Sequence, residues 1–219
     1  MRLKFLFSLC LLRCALSHAN AAVPISPTAM KVAQVLDSMD VEHRWLAHQR
    51  VHWRTGEPRE TSASPQQQSA DNEDDQPQRI STHCSAFVAA ACERLGVYIL
   101  RPPEHVQKLL ANAQAEWLPG QGATAGWQPL ADAEAAQDSA NRGLLVVASY
   151  ENRLATRPGH IAIVRPADKT SAQLAAEGPD IIQAGGHNYT RTSVRQGFAN
   201  HPRAFEQGFI RYYAHAVSF

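Results

Sequence analysis

The sequence is short of cysteine, of net charge and of long apolar runs, and each shortage excludes something. It has 4 cysteines in 219 residues, too few for a fold stapled by several disulfides. Its 21 Lys and Arg face 20 Asp and Glu, a formal net charge of +1. A nearly neutral chain has no electrostatic reason to seek nucleic acid, so no nucleic-acid partner is expected. Beyond the first dozen residues no apolar run approaches the roughly 20 residues that a membrane-spanning helix needs. No internal repeat is visible, which sets solenoids aside.

The start of the chain is different in kind. Arg2 and Lys4 precede an apolar stretch from Leu3 to Leu12, and Ala19-Asn20-Ala21 has the small-residue form of a cleavage site. Residues 1–21 therefore read as a secretory signal, removed before Ala22. The expected product is secreted or periplasmic, with no membrane partner after signal removal. Arg13 stands before Cys14 where a lipid-anchored cysteine would want a small residue. The leader also holds three basic residues and no acid, so without it the balance moves from +1 to −2. What remains, 22–219, is enough for one domain with a sizeable core, and a monomer is expected.

Removing the leader leaves Cys84 and Cys92 as the mature cysteines. They lie in Cys84-Ser85-Ala86-Phe87-Val88-Ala89-Ala90-Ala91-Cys92, a segment with helical character that closes at Gly96. Eight helical residues rise about 12 Å, whereas a disulfide needs Cα atoms within about 7 Å. Both are thus expected to be free thiols, an unusual state for an exported chain. Cys92 reads as a small core residue.

Ser26-Pro27 signals a first helix with Met30, Ala33, Leu36 and Met39 inward. Residues 59–79 contain no aliphatic side chain larger than alanine and no aromatic, which predicts a disordered surface loop. After the cysteine helix, Arg101-Pro102-Pro103 breaks the chain. A further helix is expected with Val106, Leu109, Leu110, Ala113 and Trp117 on one face. Residues 119–126 read as a glycine-rich loop. Strands are predicted at 144–150, 160–164, 180–184 and 208–213. Helices first and strands later, with short links, predict an α+β fold: N-terminal helices packed on a central antiparallel sheet.

On a helix starting near Thr82, Cys84, Val88, Ala91 and Leu95 share the face that would pack on the sheet. Cys84 also sits in the first turn, where unpaired N–H groups and the helix dipole favour a thiolate. Ser81 or Thr82 can cap. Alone, a cysteine at a helix start is more often a core thiol than a nucleophile. A thiolate nucleophile wants an imidazole base, and the base wants an orienting group. His160 follows Pro158-Gly159 and opens the apolar strand Ile161-Ala162-Ile163-Val164. On a neighbouring strand Gln183 is the polar residue among Ile181, Ile182 and Ala184, and its amide can hold the second ring nitrogen. Asn188 is the alternative third residue.

The order of these motifs resembles the papain-like NlpC/P60 and CHAP families of cell-wall cysteine peptidases and amidases. The resemblance covers about residues 80–190. It rests on Cys84-Ser85-Ala86-Phe87-Val88, on Gly143-Leu144-Leu145-Val146-Val147, on Pro158-Gly159-His160-Ile161-Ala162-Ile163-Val164 and on Ile181-Ile182-Gln183-Ala184. It implies a papain-like fold with Cys84 as nucleophile, His160 as base and Gln183 as orienter. It also implies a peptidoglycan or peptide substrate, and no cofactor or metal is required. The chain departs from the family at His83 and Leu144, where acidic residues are usual, so the scissile bond stays open.

Around this centre, Trp53, Arg54 and Thr55 form a candidate substrate wall, with Arg54 able to pair with a peptide carboxylate. Trp53 reads at least as well as a core residue at a helix end. His83, Ser85 and Asn188 are further substrate-binding candidates. His83, Cys84, His160 and His187 have metal-ligand chemistry but no zinc spacing. Arg101 and Arg165 read as solvated charges. Three readings follow: a secreted cysteine peptidase or amidase, a thiol acyltransferase or deamidase using the same site, and a non-catalytic binding or inhibitor module that retains the fold.

Overall fold

A computed structural model describes residues 23–59, 82–154 and 156–219. The leader, the possible cap Ser81 and nearly all of the 59–79 loop lie outside the described residues. Eight helices and six strands alternate along the described chain. Helix α1 is Pro27–Asp37, α2 Cys84–Arg94, α3 Leu110–Trp117 and α4 Gln121–Thr124. Then come β1 Gln128–Leu130, α5 Ala133–Arg142, β2 Leu145–Tyr150, β3 His160–Val164 and α6 Ser171–Glu177. The chain closes through β4 Asp180–Gln183, β5 Tyr189–Ser193, α7 Val194–Gly197, α8 Pro202–Glu206 and β6 Arg211–His215.

The strands form one six-stranded sheet in the order β1-β6-β2-β3-β4-β5, antiparallel throughout. The α+β class with an antiparallel sheet is therefore as the sequence implied. Strand alternation gives the sheet two apolar faces. Leu145, Val147, Ile161, Ile163 and Ile182 share one buried cluster with α2. Val146, Ala148, Ala162, Val164 and Ile181 share a second with Ala136 and Ala140 of α5, Val194 of α7 and Ala204 of α8.

Local chemistry explains where the elements begin. Ser26 accepts a hydrogen bond from the Ala29 N–H and Pro27 occupies the first turn of α1, as expected for a capped start. Its inward face, however, is Ala29, Val32 and Leu36, continued by Met39. Met30 is 56% exposed. Leu36 and Met39 are inward as expected, while in the first half of the helix Ala29 and Val32 take the places of Met30 and Ala33; there the helix start docks on the end of α5, where Gly143 lies against Thr28.

Helix α2 departs more deeply from an amphipathic pattern. Every residue from Cys84 to Cys92 is buried. Four alanines let other elements approach from all sides, and such a helix belongs in the interior. The expected helix over 106–117 is shortened to α3: Val106 is 78% exposed, and Leu109 takes a left-handed conformation, φ 56°, just ahead of the first turn. The 119–126 stretch contains the short α4. The last strand begins at Arg211, since Gly208 at φ 63° still belongs to the turn after α8.

Candidate active site

Three short-range features of the sequence set the site at one end of the sheet. Cys84 is the first residue of α2, His160 the first of β3 and Gln183 the last of β4. All three are nearly buried, at 4%, 6% and 3% exposure. Strand β4 pairs with β3 at Ile163 and Val164. Past that pairing Ile161 packs in the same buried cluster as Cys84, and its N–H favours the thiolate form of Cys84. The His160 ring packs edge-on to Phe198 at 4.6 Å. Among the described residues its one side-chain hydrogen bond is to Gln183, and none joins it to Cys84 in the free protein.

The hydrogen-bond pattern assigns the tautomer of His160. Gln183 Nε2 donates to the His187 carbonyl at 3.1 Å, which turns Gln183 Oε1 toward the imidazole. His160 Nε2 then donates to Oε1 at 2.8 Å. The proton resides on Nε2, and Nδ1 keeps its lone pair, as a base requires. Gly159 lets the chain enter β3 here: a Cβ at that position would collide with the Tyr150 carbonyl and the Asn112 side chain. Gly197 of α7 plays a similar part for Gln183, since a Cβ there would stand 2.6 Å from Oε1.

Burial controls the protonation of the pair. It pushes the Cys84 thiol up, against the N–H groups of Ile161, Ser85 and Cys84 and the Thr82 side chain, which stabilise a thiolate. The helix start was expected to lower this thiol; desolvation outweighs those donors in the free protein. Burial likewise lowers the imidazole of His160, with the Gln183 bond acting the other way. The resting pair is therefore a thiol and a neutral imidazole. Cys92 is fully enclosed, and burial drives its thiol far above the usual range. Both cysteines are free.

The remaining candidates fall into two groups. His83 is buried beside Cys84, but its Nε2 donates to the Gln49 carbonyl at 2.8 Å and its Nδ1 accepts from Gln107 at 3.0 Å. Burial also lowers its imidazole. It precedes α2 at the cap position without a side-chain cap bond. Ser85 is buried and its carbonyl accepts from Gln114. Asn188 donates to the carbonyls of Val41 and Arg44 at 2.7 and 2.8 Å and accepts from the Gly185 N–H. It staples the loop after β4, while the bond to His160 comes from Gln183.

Trp53, Arg54 and Thr55 are not assembled with the thiol. Arg54 grips Glu93 through Nε and an Nη at 2.9 and 3.1 Å and lies over the Trp53 ring. Glu93 is near the far end of α2, about 13 Å of helical rise from Cys84. Thr55 caps the Glu57 N–H. Arg165, expected to be solvated, is 4% exposed and paired with Asp37 at 2.5 Å. No cluster of three or more His, Cys, Asp or Glu suited to a metal occurs among the described residues.

Three neighbours of the imidazole escaped the sequence reading. Phe198 covers one side of His160. His201 stacks near its ring at 6.1 Å and tilts against Tyr150 at 5.2 Å. Burial and the like charge of His160 push His201 down to about 4. Only strand pairing signals Tyr150, which stands opposite His160; Phe198 and His201 belong to turns far along the chain with no periodic signal. Comparison of the chain with protein-family models and with curated proteins found no match. An antiparallel α+β scaffold carrying a helix-start thiol and an amide-held imidazole is the class the geometry defines.

Proposed function

We propose that the protein is an exported cysteine hydrolase of the papain-like NlpC/P60 and CHAP type, cutting amide bonds in the peptide stems of peptidoglycan. The observation that carries this reading is the buried, amide-held imidazole at the start of β3, whose next residue, Ile161, packs in the same cluster as Cys84. His160 Nδ1 takes the thiol proton as the sulfur attacks the substrate carbonyl. The first N–H groups of α2 face the oxygen that becomes negative. The imidazolium gives its proton to the departing amine, leaving a thioester on Cys84. Water, deprotonated by the same nitrogen, then releases the acyl group as a carboxylic acid and restores the thiol. Charge separation occurs only during attack, which suits a pair that rests neutral.

The test is digestion of purified peptidoglycan with product analysis. Wild-type protein should release stem fragments, and Cys84→Ala and His160→Ala should each abolish release while the circular dichroism spectrum is retained. Undiminished activity in Cys84→Ala would refute the mechanism. A second reading, a non-catalytic binding module, draws on the 96% burial of Cys84 that follows from its 4% exposure. It predicts wall binding without release of fragments by the wild type. Transfer of the acyl group to an added amine, seen by mass spectrometry, would instead mark the acyltransferase reading.

A further inference from the structure

A cleft of about 440 Å³ opens between Ala115 of α3, the end of β2 and the start of β6. Ser149, Glu151, Arg153, Phe209, Arg211 and Tyr213 supply its chemistry. It lies one strand from the thiol. Ser149 is the register partner of Ile161, which packs in the same cluster as Cys84, and Tyr150 is the partner of His160.

One feature of this cleft has no internal explanation. Ser149 is 2% exposed and its hydroxyl has no hydrogen-bond partner, although buried polar groups are almost always paired. The cleft also gathers two exposed arginines, Arg153 and Arg211. Like Arg94, Arg157, Arg195 and Arg203, they have no carboxylate within ion-pair distance among the described residues; what sets them apart is their place beside Ser149. The Arg153 guanidinium carbon lies 4.3 Å from the centre of the Phe209 ring, which places its charge at the cleft. The charge of Arg211 acts on the Tyr213 hydroxyl. Glu151 is the sole acid of the lining, so the cleft carries a positive excess.

We propose that this cleft is a subsite for a carboxylate-bearing peptide, with Arg153 and Arg211 as the charge partners and Ser149 as a hydroxyl donor. Guanidinium forks match a carboxylate in two bonds, and the bound oxygen gives the Ser149 hydroxyl the acceptor it lacks. The proposal rests on the hydrolase reading for its link to catalysis, and it makes acidic peptides the preferred substrate class. It also moves carboxylate recognition away from Arg54, whose fork is spent on Glu93.

Binding and turnover test the two readings separately. N-acetyl-alanyl-glutamate and its neutral diamide would be titrated into full-length Cys84→Ala protein by heteronuclear NMR. The acid should shift the amide signals of residues 149–153 and 209–213, and the double variant Arg153→Gln, Arg211→Gln should weaken it by roughly tenfold or more. The diamide should bind weakly and be indifferent to the arginine changes. Ser149→Ala should weaken the acid severalfold without lowering thermal stability, because the hydroxyl it removes is unpaired in the free protein. Equal binding of acid and diamide, or no shift with the acid, overturns the subsite. Those results are independent of wall digestion: acid binding without hydrolysis by the wild type would sink the hydrolase reading and leave the cleft standing.

Discussion

Two residues with the same side chain behave differently because of their surroundings. Cys84 and Cys92 are both enclosed, but Cys84 has the N–H groups of Ile161, Ser85 and itself and the Thr82 side chain at its sulfur, whereas Cys92 has its own N–H. Reaction with iodoacetamide at pH 8 should therefore modify Cys84 slowly and leave Cys92 untouched until the protein unfolds. Mass mapping of the alkylated peptides checks this; equal labelling of the two in the folded protein would contradict it. The other informative residue is Gln183. A neutral amide holds His160 without adding charge, and burial keeps the imidazole below its usual range. Gln183→Glu would place a carboxylate on the same nitrogen and favour imidazolium. The pKa of His160 should rise, so the acid limb of kcat/KM should move to higher pH. Gln183→Leu removes the bond that raises the imidazole, so that limb should move to lower pH, and kcat should fall about tenfold to a hundredfold through lost orientation. A pH profile unmoved by the Glu substitution would remove Gln183 from the site.

Among the elements, β3 was legible to the residue because Pro158-Gly159 stops the chain before it and four apolar residues follow. Helix α2 was legible as a helix through Gly96, but its burial on every side was not: a run of alanines has no face for a period to reveal. Strand β5 was missed for a related reason, since Tyr189–Ser193 is an edge strand without one buried residue. Helices α5 and α6 carried readable signals in Asp132, Gly143 and the Thr170-Gln173 capping box, yet lack the large apolar stripe that usually draws attention. The bond between His160 and Gln183 could be proposed from residue order. Their companions Phe198 and His201 could not, because only the folded path of α7 and α8 brings them back. That path depends on Gly197. Its helix tolerates a side chain in backbone terms, but a Cβ meets Gln183 Oε1 at 2.6 Å and Ile181 Cδ1 at 2.5 Å. Gly197→Ala should cost about 1–3 kcal/mol in urea unfolding and reduce activity as strongly as Gln183→Leu. Loss of stability with full activity would mean that α7 supports the sheet and not the imidazole.

At the scale of the whole molecule, buried histidines join the site to acid stability. Burial lowers His83, His160 and His201 below the ordinary imidazole value of 6.5. In the unfolded chain each takes a proton near that value, while the folded protein resists. The unfolded state thus binds more protons below about pH 6.5, and stability falls as pH falls. For His201 the loss runs from 6.5 to about 4; its ring is partly in solvent, so screening keeps the loss well below the roughly 3 kcal/mol that such a shift would mean for an enclosed group. His43 acts in the opposite direction, raised by Asp40, but it is exposed and screened. Asp180, lowered by Lys169 and Arg191 against its own burial, loses its contribution only on further acidification through the carboxylate range. Urea midpoints should therefore already decline between pH 7 and 5.5, above the range in which carboxylates ordinarily titrate. His201→Asn removes one of the three resisting groups, together with the like charge that faces His160. Its midpoint should fall less steeply across that interval than the wild type's. Parallel declines would show that His201 protonates freely in the folded protein, and that the packing of Tyr150, His201 and His160 opens in solution.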